Sequence, residues 1–165
     1  MLKFGLIILV GSLLLVSCDK MGYKTFTSAD ELGNVIGDED PTDWTFDEKW
    51  ESSVEKLIGS ECELSGIGNK STVIVYPAFP NPTLSTSNFV VSVEEPCLMR
   101  IVIVDKYNTV YAKSCRHLDT GNNIMSFNLS AFAVAVGGRY RLYYDFLDAA
   151  DNVFYKGHGD LVLTQ

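Results

Sequence analysis

The chain is short of what metal centres, catalytic sites and nucleic-acid interfaces are built from. It has two histidines, His117 and His158, and four cysteines in 165 residues. No Cys-x-x-Cys occurs. Cys115-Arg116-His117 brings two metal-binding side chains together where three or four are needed, so neither a metal nor a cofactor is expected. Gly-x-Ser-x-Gly and His-Glu-x-x-His are missing as well. Lys156-Gly157-His158-Gly159-Asp160 sets a histidine two residues from an aspartate. Glycines on both sides of a strand residue mark a close backbone approach, and no nucleophile accompanies the pair, so no enzyme is expected. Glu94-Glu95, ahead of Pro96, reads as a solvated turn. No basic stripe is available to neutralise phosphates, which argues against nucleic acid as a partner. Past residue 16 no apolar run is long enough to cross a bilayer; Leu98 to Val104 is short and broken by Arg100.

What is present begins at the N-terminus. Lys3 precedes thirteen mostly apolar residues, Phe4 to Val16, which end at Ser17 and Cys18. A basic start, an apolar stretch and a small residue form the layout of a secretory signal. As a helix the stretch spans about 20 Å, short of the ~30 Å of hydrocarbon a membrane-spanning helix must cross. Leu15-Val16-Ser17-Cys18 resembles the lipobox of bacterial lipoproteins, in which the cysteine is acylated and becomes the first residue of the mature chain. The resemblance implies a signal peptide over 1–17 and a membrane anchor on Cys18.

Charge is unevenly placed. Residues 19 to 63 hold 13 acidic residues and 4 lysines, whereas residues 64 to 165 hold 8 of each sign. The acidic, turn-rich stretch 18–44 suits a tether that stands a domain off the membrane. Thr45 and Glu48 then form a capping-box pattern, Phe46, Trp50, Val54 and Leu57 fall at helical spacing, and Gly59 is placed as a stop. One amphipathic helix is expected from Thr45 to Ile58, within a segment 45–60 that packs on the domain formed by 61–165.

After Gly59 the apolar period changes from 3.6 to 2. Strands are expected at Thr72–Tyr76, Phe89–Glu94, Leu98–Asp105, Thr109–Ser114, Ile124–Leu129, Arg139–Leu147 and Val153–Leu163, separated by Pro, Gly, Asn and Asp turns. Seven short strands without intervening helices predict a mainly β chain folded as an antiparallel β-sandwich. Three segments carry a second resemblance: Val75-Tyr76-Pro77-Ala78-Phe79-Pro80-Asn81-Pro82-Thr83, then Met99 to Asn108, then Gly138-Arg139-Tyr140-Arg141-Leu142-Tyr143-Tyr144. Their order resembles the immunoglobulin-like domains of flagellar hook-capping proteins and the sorting domains of the type IX secretion system. This implies an immunoglobulin-like sandwich over roughly residues 72 to 163. Ala78-Phe79 interrupt the Tyr-Pro-Asn-Pro pattern of those families.

Within the third and fourth strands the register can be anticipated. If Asn108 takes the left-handed conformation of a bulged hairpin, Asp105 pairs with Thr109 and Met99 with Cys115. Cys97 and Cys115 then share the inward face at the upper edge of disulfide distance, and Lys113 also turns inward. A one-residue shift would forbid the bridge and leave reduced, buried thiols, the state the pattern favours. On the long strand Tyr140, Leu142, Tyr144 and Phe146 alternate inward. Tyr143, with Val102 and Val104, faces out, either beneath the helix or as a surface for a protein or glycan partner.

The function expected is a non-catalytic binding or assembly domain, monomeric once freed of its lipid. As in the Bacteroidetes lipoproteins the N-terminus resembles, it would sit in the cell envelope, at the outer membrane. Two alternatives are a carbohydrate-binding accessory or small hydrolase, and a secretion-sorting domain.

Overall fold

The computed structural model describes residues 25–37, 39–59, 68–132 and 138–164. The leader 1–17, Cys18 and Cys62 lie outside the described residues. Those described form eight strands and one short helix. The strands are β1 (Thr45–Phe46), β2 (Val73–Phe79), β3 (Thr86–Val93), β4 (Cys97–Asp105), β5 (Val110–Leu118), β6 (Gly121–Asn128), β7 (Arg139–Leu147) and β8 (Val153–Val162); α1 is Ser52–Ile58. Each of the seven alternating runs in the sequence overlaps one of β2 to β8.

All strand pairs within the two sheets are antiparallel. One sheet runs β1-β8-β7-β4-β5 and the other β2-β3-β6. They enclose a common core. Phe89, Val91, Val93 and Met125 come from the smaller sheet, and Met99, Ile101, Ile103, Tyr140, Leu142, Tyr144 and Phe146 from the larger. Alternation thus puts Tyr140 to Phe146 inward as their spacing demands. β4 is buried on both faces, because Leu98, Val102 and Val104 on its outer side are covered as fully as its inner residues.

The helix is shorter than its apolar spacing suggests. Thr45 and Phe46 are drawn into β1, pairing with His158 and Gly157 on the edge of β8. Thr45 Oγ1 donates to Thr42 O (3.1 Å), and the helix starts after Glu51 with no side-chain cap. Pairing satisfies backbone groups of an otherwise open strand edge, which outweighs the capping box.

The stretch expected to be a free tether is in large part packed. Thr27, Ala29, Asp43 and Trp44 are buried. Ala29 exchanges backbone hydrogen bonds with Asn81 (2.8 and 2.9 Å), and Thr27 N–H donates to Asp43 Oδ2 (2.9 Å). Asn81 holds this strap down: its side-chain N–H groups donate to Thr27 O (2.9 Å) and Asp160 O (2.8 Å), and its Oδ1 accepts from Val162 N–H (2.9 Å). Trp44 reaches the core against Phe89, with ring centroids 5.5 Å apart. It fits because Gly159 lies beneath it; a Cβ there would come within 2.3 Å of the indole. Gly157 likewise admits Thr45, whose carbonyl oxygen would be 2.2 Å from an added Cβ. The glycines around His158 are therefore close-approach glycines, as their placement suggests.

Candidate functional site

The β4–β5 hairpin decides where the cysteines go. Asn108 is left-handed (φ 64°), Asn108 N–H donates to Asp105 O, and Asp105 N–H donates to Thr109 O (3.1 Å). Two residues on, a bulge intervenes: Val104 pairs with Val110 but Ile103 with Ala112, leaving Tyr111 as the extra residue. The remaining register moves by one, so Cys115 lies opposite Arg100 and Cys97 opposite Leu118. The two cysteines now face opposite sides of the sheet, and the Cys97–Cys115 bridge is excluded. Cys97 is a buried free thiol, pushed up to about 11 by burial. Cys115 is disulfide-bonded, and its partner lies outside the described residues. The same shift turns Lys113 outward, opposite Val102.

Val102, Val104 and Tyr143 do not form an open partner surface. Val54 and Ile58 of α1 cover them, with Trp50 and Leu57 packed alongside. Trp50 meets Tyr143 edge-on at 5.5 Å. Phe46, expected on this helical face, sits instead on β1 against Tyr155.

A polar constellation lies beside the helix on the outer face of β7 and β8. His158 is paired with Tyr143 across the strands, and Arg141 with Asp160. His158 Nδ1 is 2.7 Å from Asp47 Oδ2, the atom that also accepts from Trp50 Nε1–H (2.7 Å). Arg141 grips Asp160 with two parallel hydrogen bonds (2.6 and 2.7 Å), and Arg100 grips Asp145 in the same way (2.9 and 2.5 Å). Asp43, itself on the strap, lies near Asp160. Burial first, then the Asp160 charge, pushes its carboxyl up to about 7, and its Oδ1 has no hydrogen-bond partner.

Sequence reasoning set His158 and Asp160 together but gave neither its partner. Neighbours two apart on a strand do share a face, but each is held by a residue distant in the chain, Asp47 for one and Arg141 for the other. The glycines flanking His158 are the one local signal that something crosses there. A Ser-x-x-Lys spacing, Ser53 to Lys56, does occur on α1; both side chains are exposed, and Ser53 Oγ bonds Glu51 at 3.4 Å. Among the described residues no group of three or more His, Cys, Asp or Glu is placed to hold a metal.

A cleft of about 310 Å³ opens over this constellation, bounded by Asp47 and Trp50, the first turn of α1, Asn108, and the outer side chains Arg141, Tyr143 and His158. Burial raises the Tyr143 hydroxyl above its usual range, an effect Arg141 partly offsets.

No family model matches the chain, and no curated protein matches it. Among solved structures it is similar to a glycosyl hydrolase family 2 member from Bacteroides cellulosilyticus DSM 14838, with 13% identity and a TM-score of 0.35 over 56% of this chain and 14% of that one. A second structure of a family 2 member from Bacteroides cellulosilyticus gives 14% identity and a TM-score of 0.35, over 56% of this chain and 13% of that one. The chain thus spans about a seventh of the length of the structures it matches.

Proposed function

We propose that the chain is a lipid-anchored protein of the bacterial envelope, held at the outer membrane through Cys18, that presents one immunoglobulin-like β-sandwich as a non-catalytic binding or assembly domain. The observation that carries the anchor is Leu15-Val16-Ser17-Cys18 at the end of a short apolar run after Lys3. Strand order supports the immunoglobulin-like assignment. β2-β3-β6 faces β8-β7-β4-β5, the arrangement of a seven-strand Greek key read as A-B-E against G-F-C-C′. The packing of the strap and α1 onto the same sheets supports a single displayed unit over a passenger followed by a sorting signal. Asp47 bonds both His158 and Trp50, an arrangement that fixes the imidazole in place and suits recognition.

Replacing Cys18 by Ser tests the anchor. The variant is expected in the soluble fraction, without incorporation of an alkyne-tagged fatty acid, while the parent chain labels and bands with outer membranes on a density gradient. A Cys18→Ser chain that stays in the membrane pellet through a mild salt wash would overturn the proposal.

A further inference from the structure

We infer that the disulfide partner of Cys115 is Cys62, and that their bond ties the C-terminal end of α1 to the edge strand β5, as a covalent latch on the helix that covers Val102, Val104 and Tyr143. The chain has four cysteines. Cys115 is disulfide-bonded and Cys97 is a free thiol, so the partner is Cys18 or Cys62.

The course of the chain leads Cys62 to the spot. Gly59, directly past α1, and Cys115 line one cleft of about 380 Å³. Gly59 O accepts from Arg100 Nη1 (2.6 Å), and Arg100 is the residue opposite Cys115 across β4 and β5. A Cβ on Gly59 would lie 3.7 Å from Lys113 Nζ. Residues two apart on a strand share a face, so Lys113 and Cys115 both look toward the helix end. Three residues of chain past Gly59 reach about 10 Å at most. A disulfide asks for Cα atoms only ~4.4–6.8 Å apart. Gly68 returns to the same strand: a Cβ there would come within 2.8 Å of Cys97 Cα, and Asn69 N–H donates to Pro96 O (2.7 Å). Cys62 thus belongs to a stretch held at both ends against β4, the neighbour of β5. Cys18 starts from the far side of the sheet. Thr25, seven residues after it, donates to Asp40 on the strap, and Asn81 fastens the strap to Asp160 of β8. In that sheet β8 and β5 are three strands apart, ~14 Å.

Charge agrees with this choice. Among the described residues the cleft is lined by Lys56, Arg100 and Lys113 and by no carboxylate. Arg100 is taken by Asp145, whereas Lys56 and Lys113 make no ion pair among the described residues. Cys62 is flanked on both sides by glutamate, Glu61 and Glu63. The segment that brings the sulfur also brings two carboxylates to two unanswered ammonium groups. Forming the bond takes two protons and two electrons from the thiols. A disulfide-bearing oxidant takes them up by exchange and leaves as a dithiol. The latch matters because α1 has seven residues and no side-chain cap at its start. Helices below about 12–15 residues hold poorly by themselves. A covalent link just past Ile58 keeps this one seated on its apolar patch.

The test takes the full-length protein with its free thiols alkylated at lysis, digests it with trypsin without reduction and reads the peptides by mass spectrometry. Residues 57–70 are expected joined to 114–116, with Cys97 alkylated in 71–100. Reduction should separate the pair, and Cys62→Ser should open Cys115 to the alkylating agent. Amide exchange over residues 52–58 should then quicken about tenfold or more, both in Cys62→Ser and in the parent chain once reduced. Ile124→Ser, on the outer face of the other sheet, should exchange there as the parent does. The pairing is overturned if 114–116 is found joined to the Cys18 peptide or to a second chain, or if Cys115 is alkylated before reduction. The latch is overturned if exchange over 52–58 is unchanged in the reduced parent.

Discussion

The outward faces of the two sheets are treated in opposite ways. On the β8-β7-β4-β5 side, Arg100, Arg141, Asp145, Asp160 and His158 stand among Val102, Val104 and Tyr143, and α1 and the strap cover them. On the β2-β3-β6 side, Ile74, Tyr76 and Ile124 are exposed between Asn88, Asn122, Ser92 and Ser126, and no charged residue stands in those rows. Charge is thus concentrated where it is costly to keep and absent where water would solvate it freely. The reason lies in what the covered charges hold. Arg100 donates through Nη1 to Gly59 O (2.6 Å), the carbonyl just past α1, while its other nitrogens grip Asp145. Lys156 reaches Glu55 on the helix at 3.6 Å. An apolar patch alone would let a seven-residue helix slide; directional bonds at its end fix its position.

Removing one partner of a covered pair tests that contrast most severely. Asp145 is 2% exposed, so Asp145→Ala strands the Arg100 guanidinium and should cost about 3–5 kcal/mol in denaturant unfolding. The paired replacement Arg100→Met with Asp145→Leu should recover most of that stability yet loosen α1, seen as faster amide exchange over residues 52–58. Unchanged exchange there would refute the positioning role. Next in size, Ile58→Ala empties the helix side of the covered patch and should cost about 2–4 kcal/mol.

Asp43 brings pH into the comparison. Its carboxyl is raised to about 7 in the folded chain and lies near 3.9 when unfolded. Below about 4 both states hold the proton, and the group contributes no slope. Between about 4 and 7 the folded chain keeps a proton that the unfolded chain releases, so stability falls as pH rises, and the loss is complete above 7. Asp43→Asn should therefore gain on the parent across that window when melting temperature is plotted against pH; parallel curves would contradict it. The smallest effect is expected on the bare sheet, where Ile124→Ser should stay within about 0.5 kcal/mol of the parent.

The strands were legible because period-two alternation is written into residues 72 to 163, and each run closes at a turn residue. The bulge at Tyr111 was not, and one extra residue there reversed the facing of Cys115 and Lys113. The helix was legible from Ser52 onward, while its expected start was lost: Thr45 and Phe46 went to a pairing with β8 that leaves no local trace. The strap was the largest departure. Acidic and turn-rich composition describes residues 25–44 correctly, yet Thr27 finds its partner 54 residues downstream at Asn81, and Trp44 packs far along the chain on His158 and Gly159 of β8. For the cleft, His158 was visible and Asp47 was not, since their partnership depends on the same unforeseen crossing.

That crossing has a mechanical meaning. If the membrane holds the chain at Cys18, a pull on the domain travels through residues 25–44 before it reaches any sheet. The first points to bear load are then the Asn81 side-chain bond to Thr27 O, the backbone pair between Ala29 and Asn81, and the Trp44 indole seated on Gly159. The sheets and their shared core lie behind that fastening. A domain tethered this way would yield to a pull at the strap first, with both sheets still folded behind it.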